Sequence, residues 1–328
     1  MTVVDNPASL TRKDPGRHAD RLFWALCVSA GLAVLLILGL ILASMLQQSL
    51  PALTKEFFTS STWVPNDPDE AGPLTPHFGS LTFLFGTVIV SLIALVVAVP
   101  VSLGIALFLT ELAPRRVRST VVLLVDMLAA VPSVVFGLWG IIVVAPALVP
   151  VYEWLHDTLG GIPVLGSLFG ETVSSGRNFM TAGLIVAVMI IPIITSISRE
   201  VFATVPSSDK QAAYALGATR WEMIKGAVLP HSFGGVVGAV ILGLGRAMGE
   251  TIAVALVVGS AVQITPNLLA SGYALPAVIV NTFGEASGDL RAALIGMGVV
   301  LFILTVGVNL LARVVVRRAE IRMKGAPA

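Results

Sequence analysis

The feature that most constrains this chain is a series of long apolar segments that carry little or no charge. A helix needs about 20 such residues to cross the hydrocarbon core of a membrane. Segments of that length lie at residues 22–46, 78–110, 119–150, 178–198, 233–263 and 292–312. Only 12% of the 328 residues are charged, against about 25% in soluble domains. We therefore expect an all-α, polytopic membrane protein with about six transmembrane helices.

The distribution of lysine and arginine predicts the orientation of the chain. Cytoplasmic loops are enriched in these residues. They cluster here in the N-terminal tail, at residues 115–118, in residues 199–232 and in the C-terminal tail. Both termini and the 199–232 loop are therefore expected on the cytoplasmic side. The chain then divides into a cytoplasmic tail over residues 1–21 and a transmembrane domain over residues 22–328.

The sequence lacks the residues that several kinds of functional site require. Cys27 is the only cysteine and the four histidines are scattered, so neither an intrachain disulfide nor a Cys/His metal site is expected. The sequence contains no G-x-x-x-x-G-K-[ST] phosphate loop, so any ATP must be bound by another protein. We expect no cofactor and no catalysis in the chain itself. The 20 Lys+Arg and 19 Asp+Glu nearly cancel, and no nucleic-acid partner is expected.

A polar stretch between the fourth and fifth apolar segments has the pattern of a docking surface. It covers residues 211–230 and reads QAAYALGATRWEMIKGAVLP. Two spacings typical of capping boxes occur in or beside it, Ser208 with Gln211 and Thr219 with Glu222. Gly217 lies between them, where the end of a helix needs a residue that tolerates positive φ. We predict a short helix, a glycine break and a second helix that ends near Pro230.

The fifth apolar segment contains two charged residues, Arg246 and Glu250. A charge at mid-bilayer costs roughly 2.5–3.5 kcal/mol on insertion scales. Because the two residues are four apart on a predicted helix, they can pair. Two interpretations stay open, a structural ion pair or an anion ligand at Arg246 that Glu250 positions and tempers. A guanidinium suits a tetrahedral oxyanion, and small neighbours that include Thr251 leave room for a solute.

Three further features bear on where the apolar segments begin, end or are interrupted. Asp126 lies inside the third apolar segment, near the arginines at 115–118, which favours a structural role close to the cytoplasmic interface. Pro132 is expected to interrupt the backbone hydrogen bonds of the same segment. Residues 274–283 are apolar but too few to span, which suits a re-entrant or interfacial segment.

The loop at 211–230 resembles the EAA loop of ABC-transporter permeases. The resemblance rests on Gln211-Ala212-Ala213, on Gly217 and on the ending Leu229-Pro230. In that family the loop places a short helix in a groove of a cytoplasmic ATPase subunit. The resemblance thus implies that these residues couple the chain to an ATPase, and that the fold is that of a type I ABC importer permease. The family's glutamate is Gln211 here, so any ion pair made by that glutamate is absent.

A second resemblance is more specific. The stretch GLGRAMGET, residues 243–251, resembles phosphate-specific ABC permeases, and the similarity covers nearly the whole chain after residue 20. The N-terminal extension and first external loop favour the PstC type over the PstA type. The resemblance implies phosphate as substrate, with Arg246 and Glu250 in its path. It also implies a bacterial inner-membrane complex with a PstA-type sister permease, two PstB-type ATPase subunits and an extracytoplasmic PstS-type phosphate-binding protein.

The residues alone leave other functions open. One arginine does not distinguish phosphate from molybdate or sulfate, so a permease for another oxyanion is one alternative. A secondary transporter coupled to ions through Glu250 or Asp126 is another, although such folds usually show two inverted halves. A membrane-embedded enzyme is a third, but no nucleophile–base set or carboxylate cluster supports it.

Overall fold

The computed structural model describes residues 17–65 and 76–324, which are helical apart from one two-stranded sheet and the loops. Residues 1–16 of the predicted N-terminal tail lie outside the described residues. By its internal contacts the chain divides into a first unit that ends at Gln48 and a second unit that begins at Ser49. The elements and sites discussed below belong to the second unit unless stated otherwise.

The regular elements follow one another along the described chain with mostly short connections. The first are α1 (Arg17–Ser49), α2 (Lys55–Thr59), β1 (Trp63–Val64), β2 (His77–Phe78) and α3 (Leu81–Leu107). The middle ones are α4 (Arg115–Ala129), α5 (Ser133–Trp139), α6 (Ala145–Leu159), α7 (Leu165–Leu168) and α8 (Phe179–Ala203). The last are α9 (Ser207–Ala215), α10 (Arg220–Met223), α11 (Leu229–Met248), α12 (Ile252–Val257), α13 (Leu275–Thr282) and α14 (Gly288–Lys324). A π-helical turn follows α3, α5 and α10, at Phe108–Leu112, Gly140–Val144 and Ile224–Val228.

Six helical stretches of the described residues are long and apolar enough to cross a membrane, which confirms the predicted number. They are Asp20–Ser49, Leu81–Leu112, Ser133–Leu159, Phe179–Ala203, Arg220–Met248 and Gly288–Val314. The first stretch, which is nearly all of the first unit's helix, exposes its apolar side chains along almost its whole length. Exposed apolar surface of that extent requires hydrocarbon around it. The chain is a multi-pass membrane protein.

The third span differs from its predicted bounds of 119–150. A separate helix, α4, ends at Ala129, and Pro132 is the N-cap of α5, so the span begins at Ser133. Proline interrupts a helix because it lacks an N–H, but it is tolerated where a helix begins. Asp126 consequently lies on α4, exposed and outside the span. The prediction that placed Asp126 inside the third span was wrong.

Helix α8 forms the centre of the bundle, packed between α3 and α11. The interface is built mainly from small and β-branched side chains, among them Ala94, Ala98, Ile190, Ile194 and Ala239. Small residues let helix backbones approach closely in a membrane. The N-terminus of α8 is capped by Asn178, whose Oδ1 accepts a hydrogen bond from the backbone N–H of Thr181 at 2.8 Å. This end of α8 is therefore fixed without an exposed backbone donor.

The loop after α12 and helix α13 close one end of the bundle. The backbone N–H of Phe179 donates to the carbonyl oxygen of Ala270 at 3.2 Å, which ties this loop to α8. The hydroxyl of Thr87 on α3 accepts a hydrogen bond from the backbone N–H of Leu275 at 2.9 Å, at the start of α13. Helix α13 has eight residues and its first four are buried. This confirms that residues 274–283 do not span the membrane.

We predict that Gly86→Val destabilises this end of the bundle. A Cβ atom at Gly86 of α3 would overlap the carbonyl oxygen of Tyr273, a backbone atom that cannot move without displacing the loop. Overpacking of this kind costs about 1–3 kcal/mol, so the thermal unfolding temperature of the purified protein should fall. Gly104→Val on the same helix is the control, because an added Cβ there meets nothing within 4 Å. Equal unfolding temperatures for the two variants would contradict this contact.

Candidate functional site

The predicted docking loop folds into a pair of helices, which we call the α9–α10 hairpin (residues 207–228). Helix α9 ends in a Schellman motif. The backbone N–H of Ala218 donates to the carbonyl oxygen of Ala213 at 3.1 Å, and that of Gly217 donates to Tyr214 at 3.0 Å. Gly217 has a φ of 82°, a conformation that glycine adopts without a steric penalty. The predicted glycine break is confirmed.

Helix α9 does not begin with the predicted capping box. It starts at Ser207 directly after Pro206, which has an extended conformation, and no side chain caps this described helix. Ser208 therefore already lies inside the first turn, and its hydroxyl donates to Asp209 at 3.2 Å. The capping role predicted for Gln211 was wrong for this reason.

Helix α10 begins with its predicted capping box but does not end near Pro230. The backbone N–H of Thr219 donates to Glu222 Oε2 at 2.7 Å, and the reciprocal bond from the N–H of Glu222 measures 3.4 Å. The helix then continues through its π-helical turn into α11, so Arg220–Met248 is one stretch. Pro230 lies in the first turn of α11, where its missing N–H is tolerated. The α9–α10 hairpin is thus joined directly to the fifth span.

Two of the predicted coupling residues face the protein interior. Ala213 and Leu229 pack against an apolar cluster near the ends of α3 and α8, made of Ala106, Phe202, Val205, Met223, Ile224 and Val228. Burial of such a cluster fixes the hairpin to the bundle, because each large apolar side chain contributes about 1.5–3 kcal/mol.

The opposite side of the hairpin is exposed. Gln211, Ala212 and Gly217 lie there, and Pro230 is exposed as well. Three large apolar side chains that the sequence analysis missed share this exposure, Tyr214, Leu216 and Trp221. Leu216 is 89% exposed. Exposed large apolar side chains on a polar hairpin mark an interaction surface. Their positions close to Gly217 in the sequence could have indicated this surface.

A buried ion pair, which the sequence did not predict, links the hairpin to the second span. Lys210 Nζ lies 2.6 Å from Glu111 Oε1, and the two side chains are 21% and 9% exposed. Lys210 directly precedes Gln211, and Glu111 lies in the π-helical turn that ends the second span. Loss of one partner of such a pair is costly because the other charge stays buried. The two residues are 99 positions apart, so spacing gave no signal for this contact.

Arg246 and Glu250 do not form the predicted ion pair in the described structure. Helix α11 ends at Met248, and Gly249 is its C-cap, so the spacing of four no longer places both side chains on one helix face. Glu250 is 7% exposed, and its Oε1 accepts a hydrogen bond from the backbone N–H of Ala253 at 3.4 Å. A carboxylate at this point stabilises the N-terminus of α12.

The predicted fifth segment is therefore interrupted at residues 249–251. The hydroxyl of Thr251 donates to the carbonyl oxygen of Gly249 at 3.1 Å, and α12 begins at the next residue. Thr251 is half-buried. Irregular backbone at membrane depth is tolerated only where it is buried in protein or borders a water-filled cavity.

Arg246 lines a groove of about 710 Å³ between α8, α11 and α14. Gly243, one turn earlier, packs on Ile194, which places Arg246 well inside the span. Arg246 is exposed, and it has no ion-pair or hydrogen-bond partner among residues 17–65 and 76–324. A guanidinium at this depth is costly against hydrocarbon. This side of the bundle must therefore be covered by another polypeptide or border a water-filled path.

A second cavity of about 200 Å³ adjoins Arg246. Its other lining residues come from α4, α5, α8 and the turn before α5, namely Leu128, Ala129, Val131, Phe136, Met189 and Ile193. Arg246, like Ile193, thus borders both cavities.

The chain belongs to the family of binding-protein-dependent transport system inner membrane components, because residues 98–321 match the model of that family. It is 42% identical over 305 residues to the phosphate transport system permease protein PstC of Xylella fastidiosa strain Temecula1, with 92% of this chain and 91% of the relative covered. It is 42% identical over 306 residues to PstC 2 of Mycobacterium tuberculosis strain H37Rv, with 92% and 93% covered.

Solved structures confirm the predicted all-α fold of a type I ABC importer permease. A bacterial ABC transporter involved in the import of the acidic polysaccharide alginate has a TM-score of 0.53 at 15% identity, with 92% of this chain and 96% of that chain covered. An alginate transporter in complex with a pentasaccharide-bound periplasmic protein has a TM-score of 0.51 at 14% identity, with 95% and 98% covered. Family membership supports a permease over the secondary transporter and the membrane-embedded enzyme.

We predict that Lys210→Met lowers the thermal unfolding temperature, because Glu111 is left as a nearly buried charge without its partner. The exchanged pair Lys210→Glu with Glu111→Lys should recover most of the loss, since it can form the same contact. Lys225→Met, at an exposed lysine of the same hairpin, is the matched control and should have no effect. Scanning fluorimetry measures all three. An exchanged pair as unstable as the single variant would contradict the role of the ion pair.

Proposed function

We propose that this chain is the membrane-spanning permease subunit of an ATP-driven importer of inorganic phosphate. The observation that carries the proposal is the unpaired guanidinium of Arg246, which borders a groove in the middle of the bundle. A cation at that depth requires water or an anion beside it. The similarity to phosphate transport permeases over 92% of the chain supports phosphate as that anion.

Arg246 binds the oxyanion as it passes the middle of the membrane. Its planar guanidinium donates two parallel hydrogen bonds to two oxygens of a tetrahedral anion. Glu250 acts at the helix break, where its buried carboxylate holds the start of α12 and its charge limits the attraction for the anion. Thr251 completes the break through its bond to Gly249. Moderate attraction is an advantage, because a conducted ion must also leave.

The exposed side of the α9–α10 hairpin docks on the ATPase. Gln211, Ala212 and Gly217 lie on that side with the apolar side chains of Tyr214, Leu216 and Trp221. Ala213, Leu229 and Pro230 transmit the movement, since they connect the hairpin to the bundle and to α11. The same continuous helix that begins in the hairpin carries Arg246 near its other end. A displacement of the hairpin by the ATPase therefore moves the anion ligand.

The complex needs subunits that this chain does not supply. They are a sister permease of the PstA type, two ATPase subunits of the PstB type that bind the ATP, and an extracytoplasmic phosphate-binding protein of the PstS type. The chain itself is the non-catalytic subunit. Its relatives are called permease proteins of a phosphate transport system, which supports a complex of several proteins. The alginate transporter in complex with a periplasmic protein supports the binding protein as one of them.

The orientation of the chain in the membrane follows from the proposed docking of the hairpin on the ATPase. The loop 199–232 meets a cytoplasmic ATPase, so it lies in the cytoplasm, and with six spans both termini lie there too. The domain division follows as a cytoplasmic tail over residues 1–21 and a permease domain over 22–328 in the bacterial inner membrane. The clustering of lysine and arginine in these segments supports this orientation.

We predict that Arg246→Gln lowers phosphate uptake about a hundredfold or more, since two charge-assisted hydrogen bonds to the anion are lost. Arg246→Lys should keep part of the activity, because it keeps the charge but not the bidentate geometry. Labelled-phosphate uptake by the reconstituted complex is the measurement, with co-purification of all subunits as the check on assembly. Normal uptake by Arg246→Gln would remove Arg246 from the path.

We predict that Gly217→Val weakens docking of the ATPase. A β-branched residue at a φ of 82° is strained by about 1–2 kcal/mol or more, so the Schellman motif opens and the exposed side of the hairpin changes shape. Gly226→Val, in the π-helical turn of the same hairpin, is the control, since an added Cβ there meets nothing within 4 Å. The measurement is retention of the ATPase subunit on the purified permease. Equal retention by both variants would contradict the assignment.

A further inference from the structure

A second arginine, Arg313 of α14, lines the same groove as Arg246. In the sequence it is one of several arginines of the C-terminal segment, and the enrichment of positive charge on the cytoplasmic side accounts for its presence. That enrichment does not explain why Arg313 lies in this groove. The groove lies between three spans, and Arg313 lines it together with Asn309.

Asn309 and Arg313 lie one above the other on the face of α14 that meets α11. They are four residues apart, which places them on one side of a helix with a rise of about 6 Å between them. A Cβ atom at Gly245 would lie 3.8 Å from Asn309 Nδ2, so Asn309 is level with the residue next to Arg246. Arg313 follows one turn nearer the C-terminal end of α14.

The charges in the groove are not balanced by the chain. No aspartate or glutamate is among the described residues that line it. Arg313, like Arg246, has no ion-pair or hydrogen-bond partner in the described ranges. Two guanidinium groups without partners along one groove are complementary to a mobile anion. The Nδ2 of Asn309, which can donate to an anion, faces Gly245 in the same groove.

We propose that Arg313 and Asn309 form a second oxyanion site in the groove, one step nearer the C-terminal end of α14 than Arg246. The inference rests on the proposed function and deepens it, since the ligand is the transported anion. Arg313 supplies the charge and the paired donors, and the amide of Asn309 supplies a donor between the two guanidinium groups. In the proposed orientation this step leads toward the cytoplasm.

A second anion site would speed the release of the anion from Arg246. An anion held by a single guanidinium in a low-dielectric groove leaves slowly, because its release exposes an unpaired cation. A second cation a turn away offers the leaving anion a partner before the first contact is lost. The barrier between the two positions is lowered, and transport remains fast although each site attracts the anion.

The headgroup of an anionic phospholipid also presents a negatively charged phosphate, so the test must separate this source from the free anion. The complete transporter is reconstituted in vesicles of phosphatidylcholine alone and in vesicles that also contain phosphatidylglycerol. Arg313→Cys is made in a Cys27→Ser background, because Cys27 is the only cysteine of the chain, with partner subunits free of reactive thiols. The thiol is then modified with a cationic or an anionic methanethiosulfonate. Arg318→Cys, exposed on the same helix outside the groove, is the matched control.

We expect Arg313→Cys to lower the initial rate of phosphate uptake about tenfold in both kinds of vesicle, as for one charge-assisted contact. The cationic reagent should restore most of the rate and the anionic reagent should not, while Arg318→Cys stays at the parent rate. Co-purification of the subunits checks assembly, and Arg313→Gln replaces the cysteine variant if that variant does not assemble.

Four results would overturn the proposal. Uptake by Arg313→Cys at the parent rate would remove Arg313 from the path, and so would equal effects of the two reagents. A loss confined to vesicles with phosphatidylglycerol would assign Arg313 to a lipid headgroup instead. A parent complex that imports no phosphate would overturn the proposed function as well, which distinguishes that failure from the failure of Arg313 alone.

Discussion

The high energy of a charge in hydrocarbon constrains the surroundings of Arg246, and the proposed function depends on this region. Arg246 has no carboxylate partner in the described chain, so its side of the bundle cannot face lipid. The helix that carries it ends two residues later, and the released backbone is held by Glu250 and Thr251. Glu250 thus stabilises the helix break, and in the proposed function the unpaired guanidinium binds an anion that enters the groove.

The α9–α10 hairpin depends on a different balance of forces. One side is fixed by the apolar cluster at the ends of α3 and α8 and by the buried pair of Lys210 with Glu111. The other side exposes apolar side chains around a Schellman motif. A rigid base with an exposed apolar surface is what a docking element needs, because little ordering remains to oppose association. The continuous helix from Arg220 to Met248 connects that surface to Arg246.

The number of spans and the glycine break at Gly217 could be predicted because they follow from segment length and from local backbone preferences. The pairing of Arg246 with Glu250 could not, because it assumed an unbroken helix across Gly249. The contact of Lys210 with Glu111 joins distant parts of the chain and leaves no periodic pattern in the sequence. Arg313 was visible as part of a basic tail, but its place in the groove follows from the packing of α14 on α11.

The most direct test of the account is labelled-phosphate uptake in cells that lack this chain and are complemented with the wild-type chain, with sulfate and molybdate as competitors. We expect the wild-type chain to restore phosphate uptake, and an excess of either competitor to leave the rate unchanged. No restoration of phosphate uptake, or a restored rate that an excess of sulfate or molybdate abolishes, would contradict phosphate as the substrate, although the chain would remain a permease of this family.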